Sequence, residues 1–273
     1  MTAENTSTIR LDDVSLSLGG REILSGLNLE IPAGKVTAVM GPSGAGKTTV
    51  MRLITGQLKP DAGSVWLGET RVDALKPKEL NGLRRNIGVL LQNGALFTDL
   101  TAFDNVALPL REHSGLPEAL IRRIVLLKLQ TVGLRGAADL FPRELSGGMN
   151  RRIAMARAMA LDPDLMLYDE PFAGLDPISL GVSLRLIRQV NHALGTTSVV
   201  ITHDVGEVAK LADQVCIIAD RKLVASGAPD ELQRSSHPLV RQFVDGLPDG
   251  PVPFHYPAPD LETELLSRKV RAQ

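Results

Sequence analysis

The chain has 273 residues, 44% of them hydrophobic and 22% charged, which suits a packed core and excludes disorder over most of its length. Thirty basic residues stand against thirty-one acidic ones, for a net charge of −1, so no basic excess points to nucleic acid. No apolar run approaches the roughly 20 residues that cross a bilayer, and the start, MTAENTSTIR, lacks the basic and apolar regions of a secretion signal, so a cytoplasmic chain is expected.

In chain order, IRLDDVSLSL and LNLEI alternate apolar with polar residues and predict half-exposed strands, joined through a Gly-Gly turn in SLGGRE. Short apolar runs followed by helices then take over. VTAVM leads into a glycine-rich loop and a helix predicted from about Lys47 to Gln57. Between Gln92 and about Leu161 the pattern is mostly helical: LPEALIRRIVLLKLQTVGL carries its leucines and isoleucines at helical spacing, with Pro117 suited to a first turn and Gly133 to an end. DLMLYDEP and TSVVITHD are compact apolar runs ended by polar residues, the pattern of parallel strands buried between helices. Cys216 is the only cysteine and lies in a similar run, QVCIIA, where it reads as a buried strand residue. Past Gly246, LPDGPVPFHYPAP has five prolines in thirteen residues, which opposes regular helix or central strand. Phe254 and Tyr256 give that tail apolar groups able to dock. The pattern predicts an α/β core carrying a helical insertion.

GPSGAGKTT at 41 to 49 fits G-x-x-x-x-G-K-[ST] through Gly41, Gly46, Lys47 and Thr48. Glycines let the backbone curl so that successive N–H groups aim at phosphate oxygens, and the positive end of the following helix adds to them. Lys47 would reach the β- and γ-phosphates, and the Thr48 hydroxyl would bind Mg²⁺. Gly41, Ser43, Gly44, Gly46, Lys47, Thr48 and Thr49 are therefore the candidate ATP-binding residues.

Ligands in α/β sheets lie beyond the carboxyl ends of the strands, which directs attention to acids that end an apolar run. Asp169 and Glu170 end LMLYDE: the first is a candidate Mg²⁺ ligand, the second a candidate general base for the attacking water. His203 ends the next run, placed to contact the γ-phosphate and to hold Glu170 and water. RELSGGMNRR, at 143 to 152, is a puzzle beside these: two glycines open a helix as in a phosphate site, yet no lysine follows.

With Gln92 in VLLQNG, LSGG at 145 to 148 and GLD at 174 to 176 between them, these motifs stand in an order and spacing that resemble the ATPase subunits of ABC transporters over about residues 8 to 245. The resemblance implies a P-loop NTPase fold: a RecA-like core with an antiparallel β portion and an inserted α-helical subdomain. It divides the chain into a first part of the core (1–92), the helical subdomain with the signature motif (93–161), a second part of the core (162–245) and a proline-rich extension (246–273). It also implies a head-to-tail dimer in which Ser146, Gly147 and Gly148 of one copy close over ATP on the other, with Asp176 on the dimer loop. A serine and two glycines at a helix start supply a hydroxyl and free N–H donors, and Lys47 comes from the other copy. Gln92 is implied as a ligand of Mg²⁺ or water at the junction that signals to a membrane subunit, and GALFTDLTAFDNVALPL beyond it as the surface for that partner.

QNGALFTDLTAFDNVALPLREH, VGLRGAADL, LSGGMNRR, DEPFAGLDPI and VRQFVDGLPDGPVPFHYPA further resemble the ATPases of Mla systems, the Mce-type phospholipid transporters of Gram-negative envelopes. That subgroup implies phospholipid transport between inner and outer membranes, at the cytoplasmic face of the inner membrane. It implies an MlaE-like permease, an MlaD-like Mce protein, an MlaB-like STAS protein on the helical subdomain, and a proline-rich tail that reaches the neighbouring copy. Leu18 stands where many ABC ATPases carry an aromatic residue that stacks on adenine, and Met149 where glutamine is usual. The core motifs serve every member alike, so another small-molecule cargo stays open. A switch acting on DNA or ribosomes is opposed by the single ATPase domain and the absence of basic excess or a long heptad run.

Overall fold

The computed structural model describes residues 8–252, 258 and 260–267. Phe254 and Tyr256, singled out above, lie outside the described residues. The chain opens with the antiparallel hairpin β1 (Ile9–Leu18) and β2 (Arg21–Ile31), turning at Gly19 and Gly20, and continues through β3 (Val36–Met40) and α1 (Lys47–Ile54). There follow β4 (Ala62–Leu67), β5 (Thr70–Arg71), α2 (Pro77–Arg84) and β6 (Ile87–Leu90). Three helices come next, α3 (Ala102–His113), α4 (Glu118–Thr131) and α5 (Gly147–Ala158). The remainder is β7 (Leu165–Asp169), α6 (Pro177–Leu194), β8 (Thr197–Ile201), α7 (Val205–Leu211), β9 (Gln214–Ala219), β10 (Lys222–Gly227), α8 (Pro229–Gln233), α9 (Pro238–Asp245) and α10 (Leu261–Ser267).

Two sheets form. The first is antiparallel, in the order β2-β1-β4-β5; the second runs β10-β9-β3-β8-β7-β6, parallel except for the antiparallel edge strand β10. The apolar runs are buried on both faces, as expected for parallel strands between layers, and their two-residue period divides them between one core on the side of the antiparallel sheet and two on the other, of which one joins Ala38, Met40, Val215 and Ile217 to α7, α8 and α9. Val39, Leu165, Leu167, Val199, Ile201, Cys216 and Ile218 face α1 and the antiparallel sheet. Met166, Tyr168 and Val200 face the other way, into a core shared with α3, α4, α5 and α6. Cys216 is fully buried in β9.

Two local readings shift. α1 ends at Ile54 instead of Gln57, because Thr55 turns its hydroxyl back onto the oxygens of Met51 and Arg52 and Gly56 takes φ +62°. Pro117 is the cap before α4, one residue earlier than a first-turn position, while Gly133 follows the helix end at φ +72°. Among the described residues no helix is long and apolar enough to cross a membrane.

Candidate nucleotide-binding site

The site lies at the carboxyl edge of the parallel sheet, where β3, β7 and β8 end side by side. Beyond β3 the chain curls through GPSGAGK into α1. Gly41 has φ +147°, and a Cβ there would stand 2.0 Å from the oxygen of Ile218. Gly46, the residue before α1, has φ +95°, and a Cβ would press on Leu24 at 2.9 Å. No other residue type satisfies both constraints, which is why the loop folds only with glycine at these places.

Lys47 is nearly buried, and its ammonium donates to the oxygens of Gly41 (2.8 Å) and Pro42 (3.0 Å), so its charge is held over the loop. Burial lowers its pKa, opposed by the negative charges of Glu170 and Asp169. Asp169, at the end of β7, is shifted upward, first by burial and then by the adjacent Glu170 carboxylate; Arg52, Lys47 and the nearby Thr48 hydroxyl pull the other way. A half-buried carboxylate next to another carboxylate gains from a cation. Hydroxyl, carboxylate and amide oxygens are the hard donors that suit Mg²⁺, and one or two carboxylates with substrate phosphates are its usual holders. No cluster of three or more His, Cys, Asp or Glu side chains able to hold a metal occurs among the described residues.

Glu170 follows β7 with φ +47°, a left-handed conformation that costs a non-glycine residue roughly 1–2 kcal/mol. Its N–H bonds the oxygen of Ile201 at 2.8 Å, which extends the β7–β8 ladder and fixes the side chain over the sheet edge. The ring of His203, just past β8, comes within 3.0 Å of Glu170: Nδ1 and Oε1 face each other. Toward an ionised carboxylate Nδ1 can only donate, which would leave Nε2 as the ring nitrogen for a ligand. His203 is 68% exposed and Glu170 16%, so the acid sits inside and the imidazole at the mouth.

Ser146 caps α5, its hydroxyl oxygen accepting from the Met149 N–H at 3.2 Å while its own proton remains available. Gly147 and Gly148 form the first turn of α5, whose helix packs on α3, α4 and β6. Gly148 approaches α6 so closely that a Cβ would meet the Ser179 hydroxyl at 2.9 Å. Asp176 caps α6, accepting from the N–H groups of Ile178 (2.9 Å) and Ser179 (3.0 Å); hydrogen bonds from the side chain and backbone of Ser179 lower its pKa.

Three residues that the motifs did not single out organise the segment after β6. Arg151 donates to the oxygens of Gln92 (2.8 Å), Pro171 (2.9 Å) and Ala173 (2.8 Å). Arg157, one and a half turns on, donates to those of Gly94 and Ala95, both at 2.8 Å. The fully buried Asn105 holds Phe97 at both its N–H (2.9 Å) and its oxygen (3.0 Å), and also bonds Leu100 and Thr101. The apolar stretch 94–110 divides accordingly. Ala102, Val106, Ala107 and Leu110 are core, whereas Phe97, Leu108 and Pro109, with Leu91 and Arg157, line a groove of about 810 Å³.

Residues 24–173 match the ABC transporter family, and the chain belongs to it. It is an ATP-binding subunit and an ATPase of that family. The chain is 53% identical over 258 residues, 94% of its own length and 96% of the other, to the intermembrane phospholipid transport system ATP-binding protein MlaF of Escherichia coli K12. It is equally similar, 53% over 262 residues and 99% of the relative, to the MlaF protein of Haemophilus influenzae. Among solved structures it resembles the ATP-binding cassette MJ0796, a dimer in a post-hydrolysis state bound to ADP and Pi. The TM-score is 0.74 and the identity 30%, with 81% of this chain and 98% of that one covered.

Proposed function

We propose that the chain hydrolyses ATP to drive phospholipid transport between the inner and outer membranes, working at the cytoplasmic face of the inner membrane. The observation that carries this is identity of 53% along essentially the whole length of an intermembrane phospholipid transport ATPase, well past the nucleotide motifs that all ABC proteins share.

In this reading ATP lies with its phosphates against the backbone N–H groups of residues 44–49 and the ammonium of Lys47. Thr48, Asp169 and Gln92 would hold Mg²⁺, which when bound neutralises phosphate charge. Glu170 takes a proton from the attacking water, and His203, bonded to it at 3.0 Å, keeps its carboxylate aimed and offers Nε2 to the γ-phosphate. Ser146, Gly147 and Gly148 complete the site of a second copy in a head-to-tail dimer, with Asp176 at that interface; that the MJ0796 cassette is a dimer supports self-association. The groove lined by Phe97, Leu108 and Pro109 is the surface for an MlaE-like permease. An MlaD-like Mce protein, an MlaB-like STAS protein on α3 to α5, and a tail that reaches the neighbouring copy complete the assembly.

Purification of the chain with its membrane partner and mass spectrometry of the bound cargo tests the proposal. Phospholipid is expected, and recovery with a permease that carries an ion, amino acid or drug would overturn it.

A further inference from the structure

Two elements bring polar groups to the groove of about 810 Å³: α3 supplies Glu112 and His113, and α2 supplies Asn81 and Arg84, with Arg85 just after it. No residue of α2 is fully buried. Leu80 and Leu83 rest on the core beneath the antiparallel sheet, and Arg84 reaches back to the oxygens of Thr55 (3.0 Å) and Gly56 (3.1 Å), so this face of the helix is turned inward. With about 3.6 residues per turn, Lys78, Asn81 and Arg85 fall together on the opposite face, and all three are exposed.

Charge is concentrated there. Residues 76–85 hold four cations, Lys76, Lys78, Arg84 and Arg85, against the single acid Glu79, in a chain of net charge −1. Glu79 is already engaged: its Oε2 accepts from the Lys76 N–H at 2.9 Å and closes the first turn. The side chains of Lys76, Lys78 and Arg85 are exposed and have no ion-pair or hydrogen-bonding partner among the described residues. Unpaired like charges on one short helix add nothing to the fold, whereas an anionic surface gains from all three at once.

We infer that this outer face of α2 lies against the headgroups of anionic phospholipid in the membrane that holds the permease. A permease seated in the groove turns the rim of the groove toward the bilayer, and α2 is part of that rim. The negative surface potential of the cytoplasmic leaflet attracts nearby Lys and Arg and extends about 8 Å into solution at physiological ionic strength. The long stems of the three side chains carry their charges out past the backbone toward the lipid phosphates. Lipid acts here as a docking surface, separate from the cargo.

The inference rests on the groove being the permease surface, and the test separates the two. Sedimentation of the full chain is measured with vesicles of phosphatidylcholine alone and of phosphatidylcholine with phosphatidylglycerol, using variants whose folding is checked by circular dichroism. The wild type should bind the anionic vesicles, leave the neutral ones, and dissociate in about 1 M NaCl, where the screening length is about 3 Å. Lys76→Gln/Lys78→Gln/Arg85→Gln should bind the anionic vesicles about tenfold more weakly. Removing as many exposed cations elsewhere, in Arg123→Gln/Arg135→Gln/Arg234→Gln, should leave binding near wild type. Copurification with the membrane partner is read in parallel: the α2 variant should retain it and Phe97→Asp should lose it. A wild type that ignores anionic vesicles, equal binding by the two triple variants, or loss of the membrane partner from the α2 variant overturns the lipid contact alone; a Phe97→Asp chain that keeps its partner overturns the groove reading beneath it.

Discussion

The guanidinium of Arg151 donates to the backbone oxygen of Gln92 at 2.8 Å, and its other amino group spans the oxygens of Pro171 and Ala173. One side chain of α5 thus joins the segment after β6 to the segment that follows Glu170. The proposed metal ligand, the proposed base and the helix that Ser146 caps are held together by three charge-assisted hydrogen bonds.

Arg151→Lys should therefore harm both fold and turnover, since an ammonium cannot fork across three carbonyls. Each charged hydrogen bond lost contributes about 1.5–3 kcal/mol, and a small displacement of Gln92 or Glu170 is enough to cost roughly 10²-fold in rate. Thermal unfolding and steady-state ATPase assays check this; a variant with wild-type melting and turnover would remove Arg151 from the account.

Glu170→Gln keeps the shape of the acid and removes its basicity. Turnover should fall by about 10²- to 10⁴-fold while Mg-ATP binding persists and the dimer lives longer. His203→Ala should lower turnover through the same carboxylate. Because His203 is largely exposed, it should change the melting temperature little. The two losses should be less than additive in a double variant, measured by single-turnover hydrolysis.

Asp169 is held above the usual carboxylate pKa of 3.8 by burial and by Glu170, so its ionised form is disfavoured in the fold. Sign matters here: above pH 3.8 the unfolded chain ionises this group more readily than the folded one, so the wild type carries a penalty at neutral pH. Asp169→Asn should raise the melting temperature at pH 7, and the gain should shrink as pH falls through the folded pKa and vanish below 3.8, where the carboxyl is protonated in the unfolded chain as well. The same variant should lose hydrolysis, a trade of activity for stability. Calorimetry across pH checks the first point and ATPase assays the second.

Ser146 has two roles that substitution can separate. Ser146→Ala removes the cap and should cost about 1 kcal/mol of stability, whereas Ser146→Asp keeps an acceptor for the Met149 N–H and should fold normally. If the hydroxyl meets phosphate across the dimer, Ser146→Asp should still abolish ATP-driven dimer formation by charge repulsion. Light scattering with Mg-ATP distinguishes the cases, and normal dimerisation of the aspartate variant would reduce Ser146 to a helix cap.

GPSGAGKTT and the acids ending LMLYDE were legible because each motif acts through its own backbone: glycines at forced angles, an acid at a strand end. Arg151, Arg157 and Asn105 were not. Their partners are main-chain N–H and C=O groups, which leave no mark in the sequence, and for the two arginines those on the segment after β6 lie 59 to 63 positions away. The same holds for residues 94–110, where one apolar stretch serves both core and groove: the period of α3 alone would have assigned Val106 inward, but only the Asn105 bonds place Phe97 outside. The early end of α1 likewise depends on a local hydroxyl bond at Thr55.

The central claim is that hydrolysis at Glu170 drives phospholipid movement, and it is tested most directly in proteoliposomes containing the chain with its membrane partners. Transfer of fluorescent phospholipid is followed on addition of Mg-ATP, with wild type and Glu170→Gln side by side. The wild type should transfer lipid and the Glu170→Gln complex should not; ATP-dependent transfer at the same rate by both would contradict the account.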